Sequence, residues 1–134
     1  MPAKRFFLAP LVIVVLMVLH SSNTLAQDKN LVVRIARLVI DSARLESYKA
    51  ALKEHAGIAV RVEPGVLNLY AVYEKNNPTH VTVFEIYASD EAYKAHLLTP
   101  HFLKYKTGTK DMVKSLELVE TVPIALETKY KGSN

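Results

Sequence analysis

Residues 80–102 read H-V-T-V-F-E-I-Y-A-S-D-E-A-Y-K-A-H-L-L-T-P-H-F, and this stretch decides the fold. From His80 to Ala88 the pattern is that of a strand, so Val81, Val83, Glu85 and Tyr87 share one face. Thr82, Phe84, Ile86 and Ala88 share the other. Both faces are largely apolar, which predicts a central strand covered on both sides. Ser89 is placed to cap a helix, with Asp90 and Glu91 in its first turn, where the helix dipole favours acids. Tyr93, His96 and Leu97 then fall at i, i+3 and i+4, on one face. Thr99 caps a second helix with Pro100 at its first position and His101 in its first turn.

Working outward, Leu31 to Ile40 is rich in Val, Ile and Leu and alternates as a strand. Asp41-Ser42 caps a helix running to about Arg61, with a stripe of Leu45, Tyr48, Leu52, His55 or Ala56, and Ala59. Pro64-Gly65 breaks it. A second strand spans Gly65 to Tyr73, and Glu74 to Pro78 turns the chain into the strand beginning near His80, forming a hairpin. Ser115 to Val122 is the last strand, before Pro123, and the polar tail from Glu127 to Asn134 is expected to fray. The order β-α-β-β-α-β predicts an α+β, ferredoxin-like fold: an antiparallel sheet with helices on one face. Its other face then needs a cover, and a second copy of the chain is the simplest one.

Three segments carry a family resemblance. They are E-P-G-V-L-N-L-Y-A-V (Glu63 to Val72), F-E-I-Y-A-S-D-E-A-Y-K-A-H-L-L-T-P-H-F (Phe84 to Phe102) and K-D-M-V-K-S-L-E-L (Lys110 to Leu118). Together they resemble the antibiotic biosynthesis monooxygenase (ABM) domain of the quinol monooxygenase type, over residues 31 to 124. The resemblance implies a homodimer whose two sheets form a dimeric α/β-barrel. It also implies a cofactor-independent oxidation of small quinols or phenols by O₂. Haem degradation, known in the wider superfamily, uses an Asn, Trp and His set, and this chain has no Trp.

The first 26 residues have the form of a cleavable signal peptide. Lys4 and Arg5 precede an apolar run from Phe6 to Leu19, and Thr24-Leu25-Ala26 is a small-x-small site. The expectation is cleavage after Ala26, a periplasmic or secreted protein, and no membrane attachment afterwards. Residues 27–134 form one domain. Two of the 17 Lys and Arg lie in the leader, leaving 15 against 13 Asp and Glu, so no basic stripe points to nucleic acid. With no Cys, there is no disulfide, thiolate metal site or Cys nucleophile. The four Gly at 57, 65, 108 and 132 form no phosphate loop, which speaks against a nucleotide or flavin.

Glu85, Tyr87, Tyr93, His96 and His101 are the candidates for one site. His96 is either a general base or hydrogen-bond donor toward a substrate oxygen, or a core histidine bonded to a carbonyl or to Glu85. Glu85 either orients a histidine as its catalytic partner or forms a structural bond with the backbone or Arg34. Tyr87 and Tyr93 bracket an aromatic substrate or pack the core. The resemblance places Tyr87 where relatives carry a pocket aromatic, and matches Tyr93 to a helix tyrosine of oxygenase members. His101 binds substrate or locks the T-P-H-F turn. Asn68, on a face with Val66, Tyr70 and Val72, serves a pocket or a dimer contact. His55 and His80 read as surface or edge residues. No metal is expected, because H-x₄-H across the Thr99-Pro100 break does not reliably present both rings to one ion. The leading reading is a quinol or phenol monooxygenase. The alternatives are an isomerase or tautomerase of a small carbonyl compound, and a non-catalytic dimer that binds small aromatics.

Overall fold

The computed structural model describes residues 30–129. The leader expected over residues 1–26, its cleavage site and the last five residues lie outside that range. Strand β1 (Val32–Ile40) is followed by a 3₁₀ turn (Ser42–Arg44) and helix α1 (Leu45–Val62). Then come β2 (Val66–Glu74), β3 (Asn77–Tyr87), α2 (Asp90–His96), α3 (Pro100–Thr109), a 3₁₀ turn (Lys110–Met112) and β4 (Val113–Thr121). The strands form one sheet in the order β2-β3-β1-β4, each pair antiparallel, which is the ferredoxin-like α+β arrangement. No helix of the described residues is long and apolar enough to cross a membrane.

Parity along the strands decides what faces the helices. Ala36, Leu38 and Ile40 of β1, and Val81, Val83 and Tyr87 of β3, pack with Tyr48, Leu52 and Ala59 of α1 into the core. These α1 positions recur every three or four residues, the spacing of one helix face. His55 belongs to that buried stripe, at 4% exposure. This corrects the surface reading of His55: its phase with Tyr48 and Leu52 outweighs its polarity. His80 is half-buried near the hairpin, 3.4 Å from the Asn77 amide.

The opposite face of the sheet is uncovered in the protomer. Tyr70, Phe84, Ile35 and Val119 stand in register across all four strands, with Tyr70 51% exposed. A bulge in β2 between Val66 and Asn68 changes the strand's phase. Val66 therefore joins the core on the helix side, while Asn68 and Tyr70 stay on the open face. The single face expected for Val66, Asn68 and Tyr70 is thus split by the bulge.

Capping sets the junctions that matter for the site. Asp41 Oδ1 accepts from the Ala43 N–H at 2.8 Å, and Ser89 Oγ accepts from the Ala92 N–H at 3.1 Å. Helix α1 ends at Glu63, which is extended because Pro64 follows it. Gly65 then runs against α2 so closely that a Cβ there would lie 2.5 Å from the Ala92 Cβ. The Gly65 carbonyl accepts the Ala88 N–H at 2.9 Å, tying the start of β2 to the turn before α2.

Candidate active site

The helices roof β2, β3 and β1 but leave the helix-side row of β4 open. Leu116 and Leu118 are 40% and 54% exposed there. Between this row and α2–α3 lies a cavity of about 350 Å³. Its wall includes Arg34, Glu85, Tyr87, Tyr93, Phe102 and Tyr105, with Leu116 and Leu118 from β4. The space suits a single substituted ring.

Arg34 and Glu85 are direct neighbours across β1 and β3. Burial pushes the Glu85 carboxyl above the ordinary carboxylate range, and a hydrogen bond from Tyr87 and the Arg34 charge pull it partly back. The Tyr87 phenol is itself held up by burial and by the Glu85 charge, so it stays neutral and can donate. The Arg34 guanidinium lies 4.3 Å from the centre of the Tyr93 ring and 3.5 Å from a Glu120 oxygen on β4. Tyr87 and Tyr93 meet edge to face at 5.2 Å. A cation, a carboxyl with a raised pKa and two phenols thus border one largely apolar space.

A second polar group lies behind this wall. His96 Nδ1 is 2.8 Å from Glu63 Oε2, and His101 Nε2 is 2.6 Å from the same oxygen. His96 is 1% exposed, and its ring packs 5.3 Å from Tyr87 and 5.1 Å from Phe102. His55 joins the group, stacked on Tyr105 at 4.8 Å and 5.1 Å from His96. Burial and the neighbouring His96 and His101 lower its pKa to about 4, so it is neutral. His55 Nδ1 and His96 Nε2 are buried without a hydrogen-bond partner.

The structure therefore divides the candidates. Glu85, Tyr87 and Tyr93 line the cavity. His96 and His101 do not; they converge on Glu63, one aromatic layer back. The expected carboxylate partner of His96 was Glu85, and the observed one is Glu63. Glu63 is placed there because Pro64 stops α1 with that side chain facing the turn between α2 and α3. Asn68 lies on the far side of the sheet, where its amide donates to the Phe84 carbonyl at 3.4 Å. The spacing across the Thr99-Pro100 break does not by itself promise that the His96 and His101 rings converge, and in the structure they do, on Glu63. Thr99 accepts the Phe102 N–H at 3.3 Å and donates to the His96 carbonyl at 2.8 Å, folding one helix end onto the next start. Arg34, Glu63 and Tyr105 escaped the sequence reading as site residues. The signal for Arg34 was a charge in phase with Ala36 and Leu38, on the buried face of a central strand.

The architecture and sequence have clear relatives. The sequence profile of a family described as antibiotic biosynthesis monooxygenase matches residues 31–108. A crystal structure from Bacteroides thetaiotaomicron, named "Putative antibiotic biosynthesis monooxygenase", is 54% identical with a TM-score of 0.74, covering 78% of this chain and 99% of that one. A "putative monooxygenase" from Lactobacillus acidophilus is 32% identical with a TM-score of 0.67, covering 70% of this chain and 44% of that longer one. A structure from Nitrosomonas europaea, 21% identical with a TM-score of 0.67, covers 71% of this chain and 91% of that one and shares the fold. No curated protein sequence matches. Profile match, 54% identity and a TM-score of 0.74 agree that the chain belongs to the antibiotic biosynthesis monooxygenase family, whose general function is of the monooxygenase type.

Proposed function

We propose that the protein oxidises a small quinol or phenol with O₂ in the Arg34–Glu85–Tyr87–Tyr93 cavity, without an organic cofactor. The observation that carries this reading is the half-buried Glu85 carboxyl at the cavity wall, set beside Arg34 in an apolar, ring-sized space that raises its pKa. A carboxylate so tuned is a better base near neutral pH than an exposed one. It takes the proton from a quinol hydroxyl, and Arg34 and the Tyr87 hydroxyl stabilise the quinolate. Stacking against Tyr93 orients the ring. The quinolate passes one electron to O₂, and the semiquinone and superoxide combine at a ring carbon. Loss of water leaves a hydroxyquinone, so quinol plus O₂ gives hydroxyquinone plus water. His96 supports this site through its contact with the Tyr87 ring, instead of acting as the base at the substrate.

Two further proposals accompany this one. The apolar row Tyr70–Phe84–Ile35–Val119 on the open face supports a homodimer formed sheet to sheet. The sequence of residues 1–26 supports export to the periplasm or beyond.

Oxygen consumption with a panel of hydroquinones, run in air and under argon, tests the function. The expected result is quinol-dependent O₂ uptake with hydroxyquinone formation, both absent under argon. Turnover of a carbonyl substrate under argon would replace this reading with a tautomerase. Tight binding of aromatics with no turnover in either atmosphere would replace it with a binding protein. Light scattering tests the dimer, with twice the chain mass expected. N-terminal sequencing of secreted material, with Gln27 first, tests the export.

A further inference from the structure

We propose that Glu63, His96 and His101 form a binding site for one divalent first-row transition cation, behind the cavity and separate from the proposed chemistry. Three elements meet at this point: the end of α1, the last turn of α2 and the first turn of α3. Glu63 Oε2, His96 Nδ1 and His101 Nε2 all lie within 4.8 Å of one another. Two imidazoles and one carboxylate are a donor set that suits zinc or iron(II). A tetrahedral ion bonded at about 2.0–2.2 Å needs its ligand atoms about 3.3 Å apart. Holding such an ion would open the present 2.8 and 2.6 Å separations by about 0.5 and 0.7 Å and set the two ring nitrogens, now within 4.8 Å, at the same spacing.

Two further observations point to a ligand. The first concerns protons. For Glu63 to accept from both rings, His96 must carry its proton on Nδ1. That leaves the Nε2 lone pair buried and unpartnered, which is costly. A cation at Nδ1 reverses the arrangement: the proton moves to Nε2. An N–H there can be directed at the aromatic faces around it, with Phe102 edge-on at 5.1 Å and Tyr87 at 5.3 Å. The second is preorganisation. Thr99 bonds both the His96 carbonyl and the Phe102 N–H, so the turn that brings the two rings together is held without the ion. The side chains of His96, His101 and Glu63 are 1%, 11% and 13% exposed, which keeps competing water low.

Tyr87 and Phe102 stand between this cluster and the cavity, so the cation's effect is to pin three helix ends rather than to touch substrate. The test uses the purified protein, stripped by a chelator and dialysed. It is titrated with ZnCl₂ by calorimetry and with CoCl₂ by visible absorption. The expected result is one equivalent bound, cobalt ligand-field bands from a nitrogen and oxygen site, and a melting temperature that rises with Zn²⁺ concentration. Glu63→Gln and His101→Gln should each weaken binding at least about tenfold. His80→Gln, near the hairpin, should bind as wild type does. A folded wild-type protein that takes up neither ion would overturn the site. So would a folded His101→Gln variant with unchanged affinity. If His101→Gln does not fold, the stoichiometry and cobalt spectrum of the wild type decide the question alone.

Discussion

The cavity and the histidine cluster are both polar groups set into an apolar core, and they handle that position in opposite ways. In the cavity, burial outweighs the Tyr87 hydrogen bond and the Arg34 charge, and the Glu85 pKa is raised. In the cluster, Glu63 is matched by two imidazole donors on a single oxygen, and its side chain is 13% exposed. A carboxylate without enough partners suits proton transfer, whereas one fully engaged suits holding parts together. The histidines that stand out in the sequence therefore sit in the cohesive region, and the base proposed above is a glutamate on a strand.

Substitutions should break this division in order of size. Glu85→Gln should lower kcat for quinol oxidation by about 10²–10⁴-fold with the fold intact, as steady-state O₂ uptake and circular dichroism would show. Equal activity in that variant would move the base elsewhere. Glu63→Ala strips the carboxylate from the buried His96 ring and the partly buried His101 ring and should cost about 2–3 kcal/mol of stability in urea melts, with a much smaller change in kcat. A larger loss of kcat than of stability would merge the two regions into one site. Thr99→Ala removes the cap of α3 and the bond to the His96 carbonyl, and should cost about 1 kcal/mol. The smallest effect is one of pH. The folded Glu85 carboxyl titrates above its unfolded value of about 4.3, so the folded state holds its proton longer. Below both values there is no penalty. Stability falls as pH rises between them and then stays lowered. Glu85→Gln should thus melt higher than wild type at pH 7, and the two should converge near pH 4.

Much of the fold was legible because local signals agreed with one another. Ser89, Thr99 and Asp41 are caps in the sequence, and each accepts a backbone N–H in the structure. The alternation through Val81, Val83, Glu85 and Tyr87 correctly placed Glu85 and Tyr87 on the helix side of the sheet, beside the cavity. What the sequence hid was long-range. Glu63 lies 33 residues from His96 and 38 from His101. Its role depends on where Pro64 stops α1, and nothing near it in the chain reveals that. Proximity along the chain favoured Glu85 as the partner of His96, yet a strand residue and a helix residue separated by Tyr87 do not meet. The β2 bulge was equally silent, since Val66-Leu67-Asn68 contains no Gly or Pro to mark it.

Gly65 sits beneath both regions at once. Its bare Cα lets β2 start directly against Ala92, and α2 carries Tyr93 toward the cavity and His96 toward Glu63. One added methyl would act as a wedge, with 2.5 Å to Ala92 where no carbon pair fits, and it would lever the helix outward as a body. The cavity wall and the imidazole knot would then shift together. A single glycine thereby sets the common datum from which the cavity wall and the histidine cluster are both measured.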